Sequence, residues 1–330
     1  MEATFANTIK VSAKDLKALR ARSDAQGWLQ TLGHLGAIVI NTILLAGMMN
    51  NAWAVATYPF WGAALTVLLF MTQGILINCL YAGVHELSHY SVFKSRKTNE
   101  RLGRLFCFIL LMGRDQDKFE HYQHHRHTQD VELDAEIVGG KPFNLFTYLL
   151  YFSGISYWPG RVSEVIRLAL GRTDAWPHLS ETQFATVHKE ARLSLLGYGL
   201  ILIVSVVLGT TAALTYWLLP MFCMKWFHML QNIGEHTGMP HDPDILLNTR
   251  TLKANVLMRR LLWNMPYHTA HHSYPMVPFY RLPELHAKVV EALNGEEPPT
   301  ISHWGFQKHM LRKLWQEGSS RYSGKDISAY

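Results

Sequence analysis

Long apolar segments alternate with polar segments along this chain of 330 residues. Residues 28–80 contain two apolar runs, 28–48 and 60–80, each long enough to cross a bilayer as an α-helix, which takes about 20 residues. Residues 193–230 contain a second pair of apolar runs, separated after residue 208. Because the loop inside each pair is short and uncharged, the pattern predicts four transmembrane helices in two hairpins.

The rest of the chain is polar and falls into three segments, residues 1–27, 81–192 and 231–330. Lysine and arginine flank the first hairpin on both sides, for example at Lys17 and Lys94, whereas the hairpin loops have neither. Since cytoplasmic segments carry the excess of these residues, we expect both termini in the cytoplasm. The chain is then one multi-pass membrane domain over 1–330, and its two longer polar segments form a cytosolic cap.

Two parts of the apolar pattern are less regular. Residues 143–158 are short for a span and rich in aromatic side chains, which is typical of a helix lying in the membrane interface. The last predicted span contains Pro220 and Lys225. We expect the lysine either to extend toward the cytoplasmic interface or to face the functional site.

Composition supports the membrane interpretation and argues against one class of partner. Charged residues make up 17% of the chain, below the roughly 25% of soluble domains. The net charge of +6 is modest, and no stripe of lysine and arginine suited to nucleic acid is present. We therefore expect a membrane protein that binds no nucleic acid.

Half of the 18 histidines fall into four clusters, and these carry the candidate chemistry. The clusters comprise His85 and His89; His121, His124 and His125; His236, preceded by Asn232; and His268, His271 and His272. Spacings of three and four place side chains on one face of a helix, so each cluster can direct several imidazoles toward one point. A typical zinc site takes three or four protein ligands. Nine histidines therefore indicate a two-metal centre.

Other interpretations of the histidines compete with this one. Residues 85–89 match H-E-x-x-H, the zinc protease motif in which Glu86 would be the general base. A protease needs only one further ligand, however, and gives no reason for two H-x-x-H-H clusters. The histidines interpreted as ordinary surface or interface residues are His34, His178, His188, His228, His303 and His309, and His127 and His286 also lie outside the repeated pattern.

Carboxylates near the clusters are candidates to orient the imidazoles. A ligating histidine usually donates its second ring N–H to an acceptor. The acidic residues that could serve are Glu86, Asp117, Glu120, Asp130, Asp134 and Glu235. We interpret the segment 130–136 as surface of the cap rather than as part of the site.

The order of these histidine clusters, two after the first predicted hairpin and two after the second, resembles the membrane fatty acid desaturase/hydroxylase superfamily from about residue 28 to about residue 286. The resemblance implies an all-α integral membrane fold, in which a stem of four helices carries a cytosolic helical cap with a di-iron site. It also implies that the nine clustered histidines hold two irons and that Asn232 contributes through a water molecule.

The function implied by the resemblance is O2-dependent attack on an unactivated C–H bond. Desaturation of a fatty acyl or lipid chain is the favoured reaction. Hydroxylation of a lipid, an alkane, a carotenoid or a small amino-acid-like substrate stays open, as does a zinc metalloprotease. Neither end of the chain carries a cytochrome b5 haem motif. Electrons would therefore come from an external donor, namely ferredoxin, rubredoxin or cytochrome b5 with its reductase.

Overall fold

The computed structural model describes residues 5–51, 56–137, 144–172, 174, 176 and 178–317, most of which are helical. In chain order the helices are α1 (Ala13–Leu19), α2 (Asp24–Met49), α3 (Pro59–Ser88), α4 (Arg96–Ile109), α5 (Arg114–Arg126), α6 (Leu145–Ser153), α7 (Tyr157–Ala169), α8 (Glu181–Val207), α9 (Leu219–Cys223), α10 (Lys225–His236), α11 (Ile245–Asn248), α12 (Val256–Leu261), α13 (His268–Ser273), α14 (Leu282–Ala292) and α15 (His303–Glu317).

Three helices in the described ranges, α2, α3 and α8, are long and apolar enough to cross a membrane. Their outward side chains are apolar and exposed, as at Ile43, Leu68 and Val207. Such continuous apolar surface suits lipid rather than water. The prediction of membrane-spanning helices at 28–48, 60–80 and 193–208 is therefore supported by helices of the required length.

The fourth predicted span, 211–230, is not a continuous helix. It consists of a π-helical turn at Leu214–Leu218, followed by α9 and α10. Pro220 lacks a backbone N–H, so it cannot donate to the carbonyl of Tyr216 four residues earlier. Gln73 Nε2 donates to that carbonyl instead, at 3.1 Å. The structure thus contains three continuous long helices and one broken segment, and the four-helix stem stays a prediction.

Helix α3 is central in the fold and contacts α2, α4, α9 and α10. It approaches the broken segment closely at Gly74, where an added Cβ would lie 2.0 Å from the carbonyl oxygen of Pro220. One turn later, Asn78 Nδ2 donates to the carbonyl of Met221 at 2.8 Å. Polar side chains of α3 therefore satisfy backbone groups that the break releases, as an apolar surrounding requires.

The helices extend further than the apolar pattern predicts. Helix α3 continues eight residues past the predicted end at residue 80, and α8 begins at Glu181 rather than at residue 193. The predicted interface helix at 143–158 is two helices, α6 and α7, on either side of Gly154, whose φ is +74°; residue 143 lies outside the described residues. Hydropathy marks only the apolar part of a helix, so polar continuations escape it.

The expectation of an all-α fold needs one small correction. Strand β1 (Thr251–Lys253) pairs in parallel with β2 (Thr300–Ser302), and Leu252 lies opposite Ile301. Three-residue strands are too short to show the alternating pattern from which strands are predicted. The pair fixes the start of α15 beside α10.

Candidate metal centre

Four helices bring the nine clustered histidines together. His85 lies in the last turn of α3 and His89 caps that helix; α5 carries the second cluster, α10 ends at His236, and α13 carries the last cluster. Within α5 and α13 the spacing of three and four residues places the imidazoles on one face. Each cluster lies at or near the end of its helix, where the side chains can converge from several directions.

The nine histidines divide into two groups. The first comprises His85, His89, His121, His125 and His271, and the second comprises His124, His236, His268 and His272. Within each group, one ring nitrogen per residue lies within 4.8 Å of the others. The groups adjoin each other, since the rings of His125 and His272 stack with centroids 4.1 Å apart. The structure therefore brings the nine histidines into two adjacent groups of imidazoles.

Distances between ring nitrogens fit two metal ions. Two nitrogens at right angles around one ion, each about 2.1 Å from it, lie roughly 3 Å apart. His89 Nε2 and His121 Nε2 are 2.7 Å apart, and His236 Nε2 and His268 Nε2 are 2.8 Å apart. His272 Nε2 is buried and has no hydrogen-bond partner among the described residues. Imidazole nitrogens that converge in this way suit a first-row transition metal.

Carboxylates lie beside the Nδ1 atoms of several clustered histidines, on the side of the ring opposite to Nε2. Asp134 Oδ1 lies 3.0 Å from His124 Nδ1, and Glu235 Oε1 lies 3.5 Å from His268 Nδ1. The hydrogen bond between His124 and Asp134 fixes the tautomer and the direction of the His124 ring, so that Nε2 is left for a metal. Two of the carboxylates proposed from sequence therefore contact the imidazoles.

The Glu86 carboxylate lies beside two imidazole rings. Its Oε1 lies 3.7 Å from His85 Nδ1 and 3.2 Å from His271 Nδ1, and its side chain is fully buried. These two histidines belong to the same group but come from the first and the last box. Glu86 therefore links α3 to α13 behind the metal-facing side of the rings.

The remaining acidic candidates have other environments. Asp134 corrects the interpretation of 130–136 as cap surface, because its side chain is 1% exposed and faces His124. Asp130 instead accepts backbone hydrogen bonds in its own loop. Asp117 and Glu120 line a cavity beside His121 rather than contacting a ring nitrogen. The spacing along the sequence did not distinguish these cases.

Burial keeps the clustered imidazoles neutral. It lowers the pKa of His271 to about 3, and the nearby His124 acts in the same direction. Burial and neighbouring imidazoles likewise lower the pKa of His121, His125, His268 and His272 well below the usual range. Neutral imidazole is the form that binds metal, so the site is suited to metal before any ion arrives.

A small cavity is lined by histidines of both groups. It has a volume of about 20 Å³ and is lined by His85 of the first group and by His124 and His268 of the second. Asn232 also lines it, and the amide Oδ1 accepts a hydrogen bond from the Tyr151 hydroxyl at 3.1 Å. A volume of this size holds one water-sized molecule. Asn232 thus lines the same cavity as three of the clustered histidines.

Three histidines interpreted as ordinary surface or interface residues are buried. His34 bonds the carbonyl of Leu76 at 2.8 Å and accepts from Trp263. His228 contacts Lys225 Nζ through Nδ1 at 2.7 Å, and His303 contacts Gln231. Their burial makes the surface interpretation wrong for these three.

Lys225 adopts neither of the two expected positions. Its side chain is buried, and its ammonium group lies 3.7 Å from the centre of the Tyr157 ring. A cation over an aromatic face is stabilised there, more so where water is excluded. The lysine therefore packs between α7 and α10 instead of reaching the interface.

Several supporting residues could not be found from the sequence. The carbonyl of Asn248 lies 3.0 Å from His236 Nδ1, and Thr128 Oγ1 lies 3.4 Å from His272 Nδ1. Gln231 donates to Glu235 at 2.7 Å. Of these contacts, only this one could have been predicted from the sequence, because the two residues are four apart on one helix. A backbone carbonyl has no sequence signature at all.

Comparison with known proteins identifies the family. The fatty acid desaturase family profile matches residues 56–304. A sphingolipid delta(4)-desaturase of Candida albicans is 20% identical over 291 residues, which cover 81% of this chain and 72% of that protein. Fatty acid conjugase FAC2 B of Calendula officinalis is 23% identical over 276 residues, covering 75% of this chain and 72% of the conjugase. Since the family profile covers most of the chain, the protein belongs to the fatty acid desaturase family.

Proposed function

We propose that this desaturase-like enzyme is an O2-dependent di-iron oxidoreductase of the membrane, which removes hydrogen from an unactivated C–H bond of a fatty acyl or lipid chain. The observation that carries the proposal is the division of the nine histidines into two adjacent groups. Two irons held by these groups would supply the redox chemistry that couples the reduction of O2 to the oxidation of the substrate.

The protein residues have distinct tasks in this scheme. The proposed iron ligands are His85, His89, His121, His125 and His271 for one ion and His124, His236, His268 and His272 for the other, with Asn232 contributing through a water molecule. Glu86, Asp134 and Glu235 orient the rings. Burial excludes bulk water from the centre, which limits side reactions there.

Desaturation is favoured over hydroxylation by the known relatives. The similar proteins are a sphingolipid desaturase and a fatty acid conjugase. Hydroxylation of a lipid or a small polar molecule would use the same centre and stays the second candidate. In either reaction, we propose that an external carrier supplies the electrons and that the site faces the cytoplasm.

The contacts of Glu86 argue against a zinc protease. In that chemistry the glutamate of H-E-x-x-H activates the attacking water, so its carboxylate must face the reaction cavity. Glu86 is fully buried, and its Oε1 faces ring nitrogens of His85 and His271. It is therefore placed to orient imidazoles and not to deprotonate water.

Product analysis tests the proposed function. Cells that express the wild type would be compared by mass spectrometry with cells that express His124→Ala or the control His309→Ala, since His309 is exposed and lies outside both groups. We expect a lipid that has lost two hydrogens with the wild type and the control, but not with His124→Ala. A product that gains oxygen would indicate the hydroxylase, and identical lipids in all cultures would contradict the proposal.

A further inference from the structure

A second cavity adjoins the metal centre and is much larger. It has a volume of about 220 Å³ and is bounded by α5, α7 and α10. It shares Tyr81, Glu136, His228 and Asn232 with the small cavity lined by both histidine groups. His121, a proposed iron ligand, also lines it. A molecule bound here would therefore lie next to the metal centre.

The lining of this cavity is acidic. It contains the carboxylates of Asp117, Glu120 and Glu136 and the guanidinium of Arg161. Arg161 already pairs with a further carboxylate, Glu164, at 2.6 Å. An acyl chain needs an apolar wall, and most small-molecule pockets have only a few polar groups. The wall of this cavity instead carries an excess of negative charge.

Other charged groups nearby leave this excess in place. His228 lines the cavity and Lys225 does not, and Lys225 Nζ contacts His228 and the Tyr157 ring instead of a carboxylate. Glu120 accepts hydrogen bonds from Trp176 Nε1 and Gln116 Nε2, both at 3.1 Å. These donors are neutral and do not cancel its charge.

The buried carboxylate of Asp117 is not paired with a cation or a hydrogen-bond donor among the described residues. Its side chain is 9% exposed and lines the cavity, yet it makes no hydrogen bond or ion pair with any described residue. Burial raises the pKa of Asp117 to about 6, although Arg114 and Arg161 act in the opposite direction. A buried carboxylate is costly unless it is paired, so the cavity suits an external cation.

A separate apolar groove lies on the membrane side. It has a volume of about 580 Å³ between α8 and the broken segment, and it is lined by residues such as Ile201, Leu214 and Phe222. Leu111 lines this groove, while its neighbour Met112 lines the acidic cavity. An amphiphilic molecule could therefore place a tail in the groove and a head in the acidic cavity.

We infer that the substrate carries a cationic nitrogen, an ammonium or guanidinium group, which binds Asp117 and Glu120 in the acidic cavity. The attacked C–H bond then lies within a few bonds of this nitrogen and not in the middle of a long chain. The inference concerns the substrate of the proposed oxidoreductase and rests on that function. The cation belongs either to a lipid head group or to a free small molecule.

Calorimetric titration of the iron-loaded full-length protein in neutral detergent tests the inference. The probes are dodecylamine, dodecanol of the same chain length, and butylamine as a short soluble amine. Each is titrated into the wild type, Asp117→Asn, Glu120→Gln and the control Asp130→Asn. Asp130 lies outside the cavity, and asparagine can accept its loop hydrogen bonds as well. Iron content is measured for every variant.

We expect the wild type and Asp130→Asn to bind dodecylamine at least about tenfold more tightly than dodecanol. Asp117→Asn and Glu120→Gln should each lose most of this preference while they retain iron. Binding of butylamine as well would identify a free small cation as the source, and binding of dodecylamine alone would identify a lipid head group. Equal binding of amine and alcohol, or a preference that survives in both variants, would overturn the inference.

The same titrations separate this inference from the proposed function. Desaturation of an uncharged lipid without any amine preference would refute the cationic substrate and leave the oxidoreductase in place. An amine preference that depends on Asp117, in a protein that changes no lipid or amine when supplied with O2 and electrons, would refute the oxidoreductase instead. Amine binding thus tests the cationic substrate, and product formation tests the oxidoreductase.

Discussion

At the scale of single residues, Glu86 is the contact that joins the first histidine box to the last. Its carboxylate faces both His85 and His271, and no part of the side chain is exposed. These two imidazoles belong to the same proposed iron site, so one buried carboxylate lies beside two of its ligands. We therefore expect the loss of Glu86 to disturb two proposed iron ligands at once.

We predict that Glu86→Gln lowers iron affinity or turnover about 10- to 100-fold without abolishing either. The amide keeps the size of the side chain but loses the charge that lies beside both rings, and losses of such partners have this magnitude. Iron content and product formation would be measured side by side, with Glu284→Gln as the control, because Glu284 is exposed. Complete loss of activity with full metal content would favour the protease chemistry instead.

The sequence predicts the metal-facing residues better than their supports. The nine histidines could be selected because helical spacing repeats in their clusters, whereas Asn232 was implied by the resemblance to the desaturase superfamily. Asp134 was misjudged because it lies ten residues from His124 in a segment that looks like surface, and only the turn after α5 brings the two together. The carbonyl that contacts His236 could not be predicted, since every residue has one.

At the scale of elements, the interrupted helix at residues 211–230 determines how this part of the chain packs against α3. Hydropathy predicted one helix over 211–230, and the structure has a π-helical turn and two shorter helices there. Pro220 was visible in the sequence, but its consequence depends on Gln73 and Asn78, which lie about 140 residues away and satisfy the released carbonyls. A local hydropathy pattern cannot predict hydrogen bonds between residues so far apart in the chain.

We predict that Gly74→Ala destabilises the protein by about 1–3 kcal/mol, the usual range for overpacking. The added methyl group would meet the carbonyl oxygen of Pro220 at 2.0 Å, so α3 and α9 would have to separate. Gly36→Ala in α2 is the matched control, because its Cβ would meet nothing within 4 Å. Thermal unfolding in detergent would compare the two. Equal midpoints would show that the close approach at Gly74 is unimportant.

At the scale of the whole molecule, three long apolar helices support a membrane protein. Its orientation is predicted from charge, because lysine and arginine flank an uncharged loop. The acidic cavity is also a property of the whole fold, since its lining comes from segments between Tyr81 and Asn232. Its charge could not be predicted from a sequence in which these carboxylates are scattered among other acidic residues.

We predict that residues 51 and 94 lie on opposite sides of the membrane. Asn51 follows α2 in the uncharged loop, whereas Lys94 follows the histidines at the end of α3. A cysteine introduced at either position would be labelled with an impermeant thiol reagent in intact and in permeabilised cells. Labelling of both positions from the same side would refute the proposed orientation.

Metal analysis of the purified full-length protein tests the two-iron centre most directly. We predict about two irons per chain for the wild type, and about one for His271→Ala and for His124→Ala, because each variant damages a different histidine group. His309→Ala should keep both irons, since that exposed histidine belongs to neither group. One zinc per chain in the wild type, or an unchanged iron content in both cluster variants, would contradict the two-site account.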